Sequence, residues 1–214
     1  MTSQITDPAK LRLYHHPLSG HAHRAALFLS LLGLDHDLIE VDLLAGEHKT
    51  DAFLKLNPKG LVPVLIDGDK TIPESTAILI YLAAKYDDGT WAPKDPEQAA
   101  QIQRWFIESA TDLANGVAAA RLVKIFGAPR DLEAAQALGN AFLARLDGEL
   151  ARKPFLVADR PTIADIAIYS YVARSDEGGV SLAPYANVQA WLARIEALPR
   201  FTAMVKTPAK EQAA

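Results

Sequence analysis

The sequence predicts an α/β half, residues 1–86, followed by a half that is entirely helical. Three observations support this division. Apolar and polar residues alternate in short runs, such as Leu11-Arg12-Leu13-Tyr14, only in the first half. The stretch 87–95 carries Gly89, Pro93 and several acidic residues, which is typical of a linker. Beyond it, in the predicted helical half 96–214, helical periodicity runs almost throughout residues 95–206.

The first half is predicted to follow the order β-α-β-α-β-β-α. Strands are expected near 11–14, 36–41, 63–65 and 71–72, and helices near 21–32, 50–56 and 74–85. This order requires one parallel pair of strands and one antiparallel hairpin, in a small mixed sheet covered by helices.

The second half is predicted to contain four main helices, over 95–124, 132–151, 162–174 and 187–197, with a short fifth helix near the C-terminus. Thr162 and Asp165 have the spacing of a capping box ahead of an apolar helix. Asp165 is therefore expected to be structural, and loss of its cap to cost about 1 kcal/mol. The two chain ends, residues 1–10 and 208–214, are expected to be loose.

Composition limits the function. The net charge of −4 has both signs spread along the chain, so nothing favours binding to nucleic acid or to an anionic membrane. The absence of cysteine excludes disulfides, zinc–thiolate sites and a cysteine nucleophile. The polar N-terminus has no apolar stretch of the signal-peptide kind, and we expect a cytoplasmic protein.

One segment, 57–75, suggests a peptide ligand. Pro63 at the start of a strand allows a cis Val62-Pro63 bond, which would turn the backbone of Val62 outward as a docking strip. Glu74 and Ser75 then stand at a helix N-terminus, where free N–H groups and the helix dipole favour a carboxylate. A strip for a peptide backbone beside a pocket for a carboxylate indicates a small peptide.

Four motifs together resemble the cytosolic glutathione S-transferases: NPKGLVPVL and PES in the first half, RPTIADIAIY in the second, and PLSGHAHRAALFLSLLGL at the first helix. The last is most similar to bacterial forms near the nu and theta-like classes. The resemblance implies a thioredoxin-like N-terminal domain, an all-α C-terminal domain, glutathione as co-substrate without a metal, and a homodimer.

Three residues are candidates for activating the glutathione thiol, which is nucleophilic only as the thiolate. Ser19 lies in the first loop, where its hydroxyl could donate to sulfur or could simply cap the first helix. His21 stands where nu-like relatives carry an Asn, and its imidazole N–H could replace that donor. Tyr14, after the first strand, is the main rival to Ser19, although packing is its more ordinary role.

The resemblance also implies a set of glutathione-binding residues: His48, Lys59, Val62, Pro63, Glu74 and Ser75. Ser75 would hold the γ-glutamyl carboxylate and Glu74 the amino group. Val62 would pair its backbone with the cysteinyl part, and His48 would reach the glycyl carboxylate. Leu61 is a departure, because many relatives carry Lys or Gln there.

The second substrate is expected between the halves, against the helix over 95–124. Arg104, Trp105, Glu108 and Asp112 are its predicted lining, with Asn115 further along. The four histidines in 15–23 do not converge on one helix face, so no metal site is expected.

The predicted function is transfer of glutathione, as thiolate, to a small electrophile, or glutathione-dependent reduction of a disulfide or peroxide. The alternative is a non-catalytic binding or interaction module that uses the same fold. An isomerase of the zeta type is disfavoured because its serine- and cysteine-rich motif is missing from 15–24.

Overall fold

The computed structural model describes residues 10–207, so most of the two predicted loose ends lies outside the described residues. In the first half the strands are β1 Leu11–His15, β2 His36–Glu40, β3 Val64–Asp67 and β4 Lys70–Pro73. The helices are α1 Gly20–Leu31, α2 Asp51–Leu56 and α3 Ser75–Tyr86, with a short 3-10 turn at Glu47–Lys49. This is the predicted β-α-β-α-β-β-α order.

The four strands form one mixed sheet in the order β2-β1-β3-β4. β1 runs parallel to β2 and antiparallel to β3, so Leu13 faces Leu38 on one side and Leu65 on the other. β3 and β4 form the antiparallel hairpin. β1 and β3 are central and pair on both edges, and Leu13 and Leu65 are fully buried because they pack in one cluster with residues of α1 and α3. The predicted thioredoxin-like arrangement is confirmed.

The second half is helical, as predicted. Its helices are α4 Pro96–Ala110, α5 Ala119–Phe126, α6 Leu132–Leu150, α7 Ile163–Val172 and α8 Ala186–Glu196. None of the helices described within 10–207 is long and apolar enough to cross a membrane.

The long helix predicted over 95–124 is broken in two. α4 ends at Ala110, and a π-helical turn, Ala114–Ala118, leads into α5. The turn lies where the chain passes close to α6, because a Cβ on Gly116 would lie 2.7 Å from the backbone nitrogen of Gly139. A π turn rotates the residues that follow it relative to those of α4. Different faces of α4 and α5 are therefore turned toward the first half.

The short helix predicted near the C-terminus is absent from the described residues. Residues 200–207, here called the C-terminal strap, run as irregular chain along α1 and α7. Its carbonyls are bound by three side chains: Ser30 Oγ donates to Arg200, His23 Nε2 to Thr202 and an Arg174 guanidinium nitrogen to Met204. These contacts satisfy the backbone from outside, so the segment does not need helical hydrogen bonds.

Helix α7 is the centre of the second half, since every residue from Ile163 to Val172 is buried. It packs against α1 and α3 of the first half and against α4. Asp165 in its first turn is fully buried and accepts hydrogen bonds from the Thr162 N–H at 2.8 Å, the Leu156 N–H at 2.9 Å and Trp191 Nε1 at 2.9 Å. Burial raises the pKa of Asp165, and these donors oppose that shift.

We predict that Asp165→Ala lowers the free energy of unfolding by about 3 kcal/mol or more, because it strands several buried donors at once. This exceeds the 1 kcal/mol expected of a simple cap. Asp131→Ala is the matched control, since Asp131 caps α6 at an exposed site through a single bond to the Ala134 N–H. Its loss should cost about 1 kcal/mol. Urea unfolding measures both, and equal costs would contradict the role given to the buried network.

His23 links α1 to α7 and to the C-terminal strap. Its Nε2 must donate to the Thr202 carbonyl, so its Nδ1 accepts from Ser170 Oγ at 2.9 Å. Burial, with the nearby Arg174 and Arg24 cations, lowers the pKa of His23 to about 4. The folded protein therefore holds this imidazole neutral.

We predict that the protein loses stability as the pH falls from about 6.5 to about 4. In this window His23 is protonated in the unfolded chain but stays neutral in the folded chain. The unfolding free energy therefore falls by at most about 1.4 kcal/mol per pH unit through this residue. His23→Gln keeps a donor and an acceptor but does not titrate, so its unfolding free energy should vary less steeply with pH. Denaturant titrations across this range compare the two proteins. An identical slope would show that His23 does not contribute.

Candidate functional site

A cavity of about 500 Å³ lies between the two halves of the chain. From the first half it is lined by His16, Leu18, Ser19, His21, His48, Leu61 and Val62, among others. From the second half its lining includes Asn115, Arg121, Leu122, Phe126, Arg130 and Tyr171. Among the residues the structure describes, none that lines the cavity is acidic, and the volume suits a small ligand.

Ser19 combines both of the roles considered for it. It is the N-cap of α1, and its Oγ accepts the Ala22 N–H at 3.2 Å. It also lines the cavity. Because the hydroxyl oxygen accepts from Ala22, its own proton is free to donate elsewhere. The N-terminus of α1 adds a favourable field for negative charge at this point.

His21 lies beside Ser19 in the cavity wall, and its ring packs edge-on against Tyr171 at 5.0 Å between centroids. Burial, with a smaller contribution from Arg24, lowers the pKa of His21 to about 3. The imidazole is therefore neutral at pH 7 and can donate a single N–H.

Tyr14 is not brought to the cavity. Its ring packs edge-on against Phe53 at 6.1 Å between centroids, beside the apolar cluster of Val41, Val64 and Ile66. Side chains alternate along a strand, so Tyr14 points away from the buried face of Leu13. Tyr14 therefore has a packing contact and lies outside the cavity lining, and its catalytic role stays a prediction.

The docking strip has the geometry expected of it. The Val62-Pro63 bond is cis, and β3 begins only at Val64. Within residues 10–207 neither backbone group of Val62 has a hydrogen-bond partner. His48 lies across the cavity with a buried Nδ1 that also lacks a partner within this range. Unsatisfied buried polar groups of this kind are rare, and they are typical of a surface that binds a polar ligand.

A second group of predicted residues meets at the start of α3, outside the cavity lining. Glu74, at the N-cap, has φ of 71°, which is costly for a residue with a side chain. Its carboxylate lies 2.7 Å from Lys59 Nζ in an exposed pair that contributes little stability. Ser75 is buried, and its Oγ accepts from Arg24 Nη1 at 3.2 Å. Within residues 10–207 no side chain caps the start of α3, so its first N–H groups have no side-chain acceptor there.

Comparison with known proteins identifies the family. Models described as the glutathione S-transferase N-terminal and C-terminal domains match residues 9–84 and 129–194. Glutathione S-transferase 3 of Zea mays is 34% identical over 206 residues, which cover 90% of this chain and 92% of the relative. This chain belongs to the glutathione S-transferase family.

Solved structures agree with this assignment. A glutathione S-transferase from Pseudomonas fluorescens matches with a TM-score of 0.86 at 33% identity, over 92% of this chain and 99% of that one. A glutathione transferase homologue from Drosophila mojavensis, solved with bound glutathione, matches with a TM-score of 0.81 at 26% identity, over 89% of each chain. The predicted family and transferase function are confirmed. The nu or theta-like class is not confirmed and stays a prediction.

Most of the residues predicted for the second substrate lie elsewhere. In this glutathione S-transferase, Trp105 is buried and donates to the Leu156 carbonyl, while Arg104 pairs with Glu149. Glu108 and Asp112 both pair with Arg145 of α6. These contacts are made by faces of α4 that are turned toward the helical half or toward solvent. Of the predicted group, only Asn115 lines the cavity, because it follows the break in the helix.

Sequence reasoning missed Tyr171 and Arg121. Tyr171 lies in the apolar pattern of α7, which predicts a buried helix but does not predict that one of its residues lines a cavity. Arg121 was one cation among many, yet it is 1% exposed. It donates to the Leu18 carbonyl at 2.8 Å, directly before Ser19, and to Glu177 at 2.7 Å. No local pattern predicts either contact, because the partners lie 103 and 56 residues away.

The C-terminal strap ends on this same arginine. Thr207 Oγ1 accepts from Arg121 Nη2 at 3.0 Å and donates to Glu177 Oε2 at 2.7 Å. The Thr207 N–H donates to the other Glu177 oxygen at 3.0 Å. The strap thereby joins the loop that carries Ser19 to the helical half of the glutathione S-transferase.

We predict that Thr207→Val lowers the free energy of unfolding by about 1–2 kcal/mol, because two hydrogen bonds are lost from an ion pair at a site of the same shape. Thr202→Val in the same strap is the matched control. The Thr202 side chain is exposed and only its carbonyl is bound, so its variant should match wild type. Thermal and urea unfolding measure both, and equal effects would argue against the Thr207 contacts.

Proposed function

We propose that the chain transfers glutathione to a small apolar electrophile in the cavity between its halves, and that Ser19 stabilises the thiolate. The observation that carries the proposal is the double role of Ser19. One residue caps α1, lines the cavity and keeps a hydroxyl proton free to donate. A free thiol with a pKa of about 8.5 is only a few per cent ionised at pH 7, so such a donor is needed.

His21 supports the same role from one residue further along. With its pKa lowered to about 3, it brings no positive charge to the thiolate and acts only through one N–H. Ser19 is therefore the main donor in this proposal and His21 an auxiliary one.

The predicted glutathione-binding residues fit the peptide in two parts. The backbone of Val62, set outward before Pro63, would take the cysteinyl part, and the unpartnered His48 Nδ1 would face the glycyl carboxylate. Ser75 and the free N–H groups of α3 would hold the γ-glutamyl carboxylate. Glu74, with Lys59 paired to it, would lie at the amino group.

The remaining cavity wall favours an apolar electrophile. Leu44 is 96% exposed, Leu61 53% and Phe126 47%, and all three line the cavity. Exposed large apolar side chains that gather at a cavity mark a ligand surface rather than a stable free surface. Conjugation to an apolar or aryl electrophile is therefore preferred over reduction of a polar disulfide.

Two finer expectations are part of this proposal. Homodimer formation is supported by Ile80 and Ile107, which are exposed on the outer faces of α3 and α4. A cytoplasmic setting agrees with a cysteine-free chain.

We predict that Ser19→Ala lowers kcat at pH 6.5 by about 50-fold, because the pKa of the bound thiol returns by about two units toward its free value. The deficit should shrink as the pH rises toward 9, where both proteins hold the thiolate. Conjugation to an activated aryl halide gives the rates, and the ultraviolet absorbance of the bound thiolate gives its pKa.

Ser75→Ala is the contrasting variant. It should weaken glutathione affinity by about tenfold, the value of one charge-assisted hydrogen bond, and leave the thiol pKa unchanged. A Ser19→Ala protein with the wild-type rate and pH profile would assign the thiolate to His21 instead.

A further inference from the structure

Arg24 is a charged side chain whose burial the fold does not explain. It lies on α1 and is 1% exposed. Its only hydrogen bond to the described residues is the one from Nη1 to Ser75 Oγ, at 3.2 Å. Its Nε and Nη2 are buried and have no hydrogen-bond partner within residues 10–207.

Nothing described around Arg24 neutralises its charge. Among residues 10–207 no carboxylate pairs with it; the Tyr171 ring lies 5.8 Å from the guanidinium carbon, and the nearby imidazoles of His21 and His23 are neutral at pH 7. Burial lowers the pKa of Arg24 to about 10, so it is still a cation at pH 7. An unpaired buried cation is strongly destabilising, and such groups are rarely retained without a function.

The hydrogen bond to Ser75 has only one direction. A guanidinium has donors and no acceptor, so Ser75 Oγ accepts from Arg24. The single proton of the hydroxyl must then be donated to another group. Ser75 is the first residue of α3, where the free N–H groups of a helix N-terminus favour an anion. Arg24 thus fixes the orientation of a donor at a site that already favours negative charge.

We propose that Arg24 is the buried counter-charge for the γ-glutamyl α-carboxylate of glutathione and acts on it through the Ser75 hydroxyl. It is a positioning residue, because the hydroxyl lies between it and the ligand. The proposal rests on the proposed role of Ser75 as the carboxylate anchor. It adds that Arg24, 51 positions before Ser75 in the chain, makes the site prefer a ligand that carries the carboxylate.

The test compares two peptides on two proteins. The peptides are glutathione and 4-aminobutyryl-cysteinyl-glycine, which is glutathione without the γ-glutamyl α-carboxylate. Wild type should bind glutathione about a hundredfold more tightly than the second peptide, whereas Arg24→Met should prefer it by about tenfold or less. Both proteins should bind the decarboxylated peptide about equally. Isothermal titration calorimetry gives the four dissociation constants.

Resistance to urea gives a second test, because a merely structural role of Arg24 predicts a change in stability of the opposite sign. Without ligand, Arg24→Met should unfold at an equal or higher urea concentration than wild type, because an unpaired buried charge is removed. Saturating glutathione should stabilise it less than it stabilises wild type. If Arg24→Met is destabilised without ligand and keeps its full preference for glutathione, Arg24 serves packing and the proposal is wrong.

A second variant provides the test if the Arg24→Met protein does not fold. Arg24→Gln keeps a hydrogen-bond donor at the site but loses the charge, and it should lose the preference to a similar extent. Full preference in this variant would overturn the counter-charge role. If wild type itself does not distinguish the two peptides, the carboxylate anchor at Ser75 fails, and the proposed binding mode fails before the role of Arg24 is reached.

Discussion

The close approach of α1 to α7 is the constraint on which the site depends. A Cβ on Gly20 would lie 2.8 Å from the Tyr171 ring, so the first turn of α1 can rest on α7 only because residue 20 has no side chain. This contact sets Ser19 and His21 against the helical half and places Arg24 beside Ser75. The strap then holds α1 in place through His23 and Ser30. One short helix therefore positions both Ser19, the proposed activating group, and Arg24, which contacts the proposed binding residue Ser75.

The two ends of the site share one arrangement, a serine at the N-terminus of a helix. Ser19 caps α1 and Ser75 begins α3, and at each place free backbone N–H groups meet a serine hydroxyl. In both cases the hydroxyl oxygen is occupied by a fixed donor, Ala22 N–H or Arg24 Nη1, which leaves its proton for the ligand. An orientation set before binding costs no reorganisation when the ligand arrives. In the proposed binding mode, thiolate and carboxylate are thus met by similar chemistry at two helix N-termini.

The sequence predicted the parts of this structure that local pattern controls. Strand alternation, the Pro63 turn, the Glu74-Ser75 helix start and the Thr162–Asp165 cap are all read over a few residues, and each is present. Long-range packing was not predictable in this way. The break after Ala110 lies where Gly116 closely approaches Gly139, and residues of α5 rather than of α4 line the cavity. The strap likewise depends on hydrogen-bond partners from α1, from α5 and from the segment after α7, so its own sequence gives no signal.

The two buried arginines differ in whether the fold neutralises their charge. Arg121 and Arg24 are each 1% exposed, but Arg121 is neutralised by Glu177 and uses all three of its nitrogens. Arg24 has one hydrogen bond and no described acid. A fold gains from a buried cation only when the cation is paired. The paired arginine belongs to the scaffold that fixes the Ser19 loop, whereas the unpaired one is, in the proposed binding mode, the counter-charge for an anion at Ser75. The same residue type at the same depth therefore serves two functions, and its partners decide which.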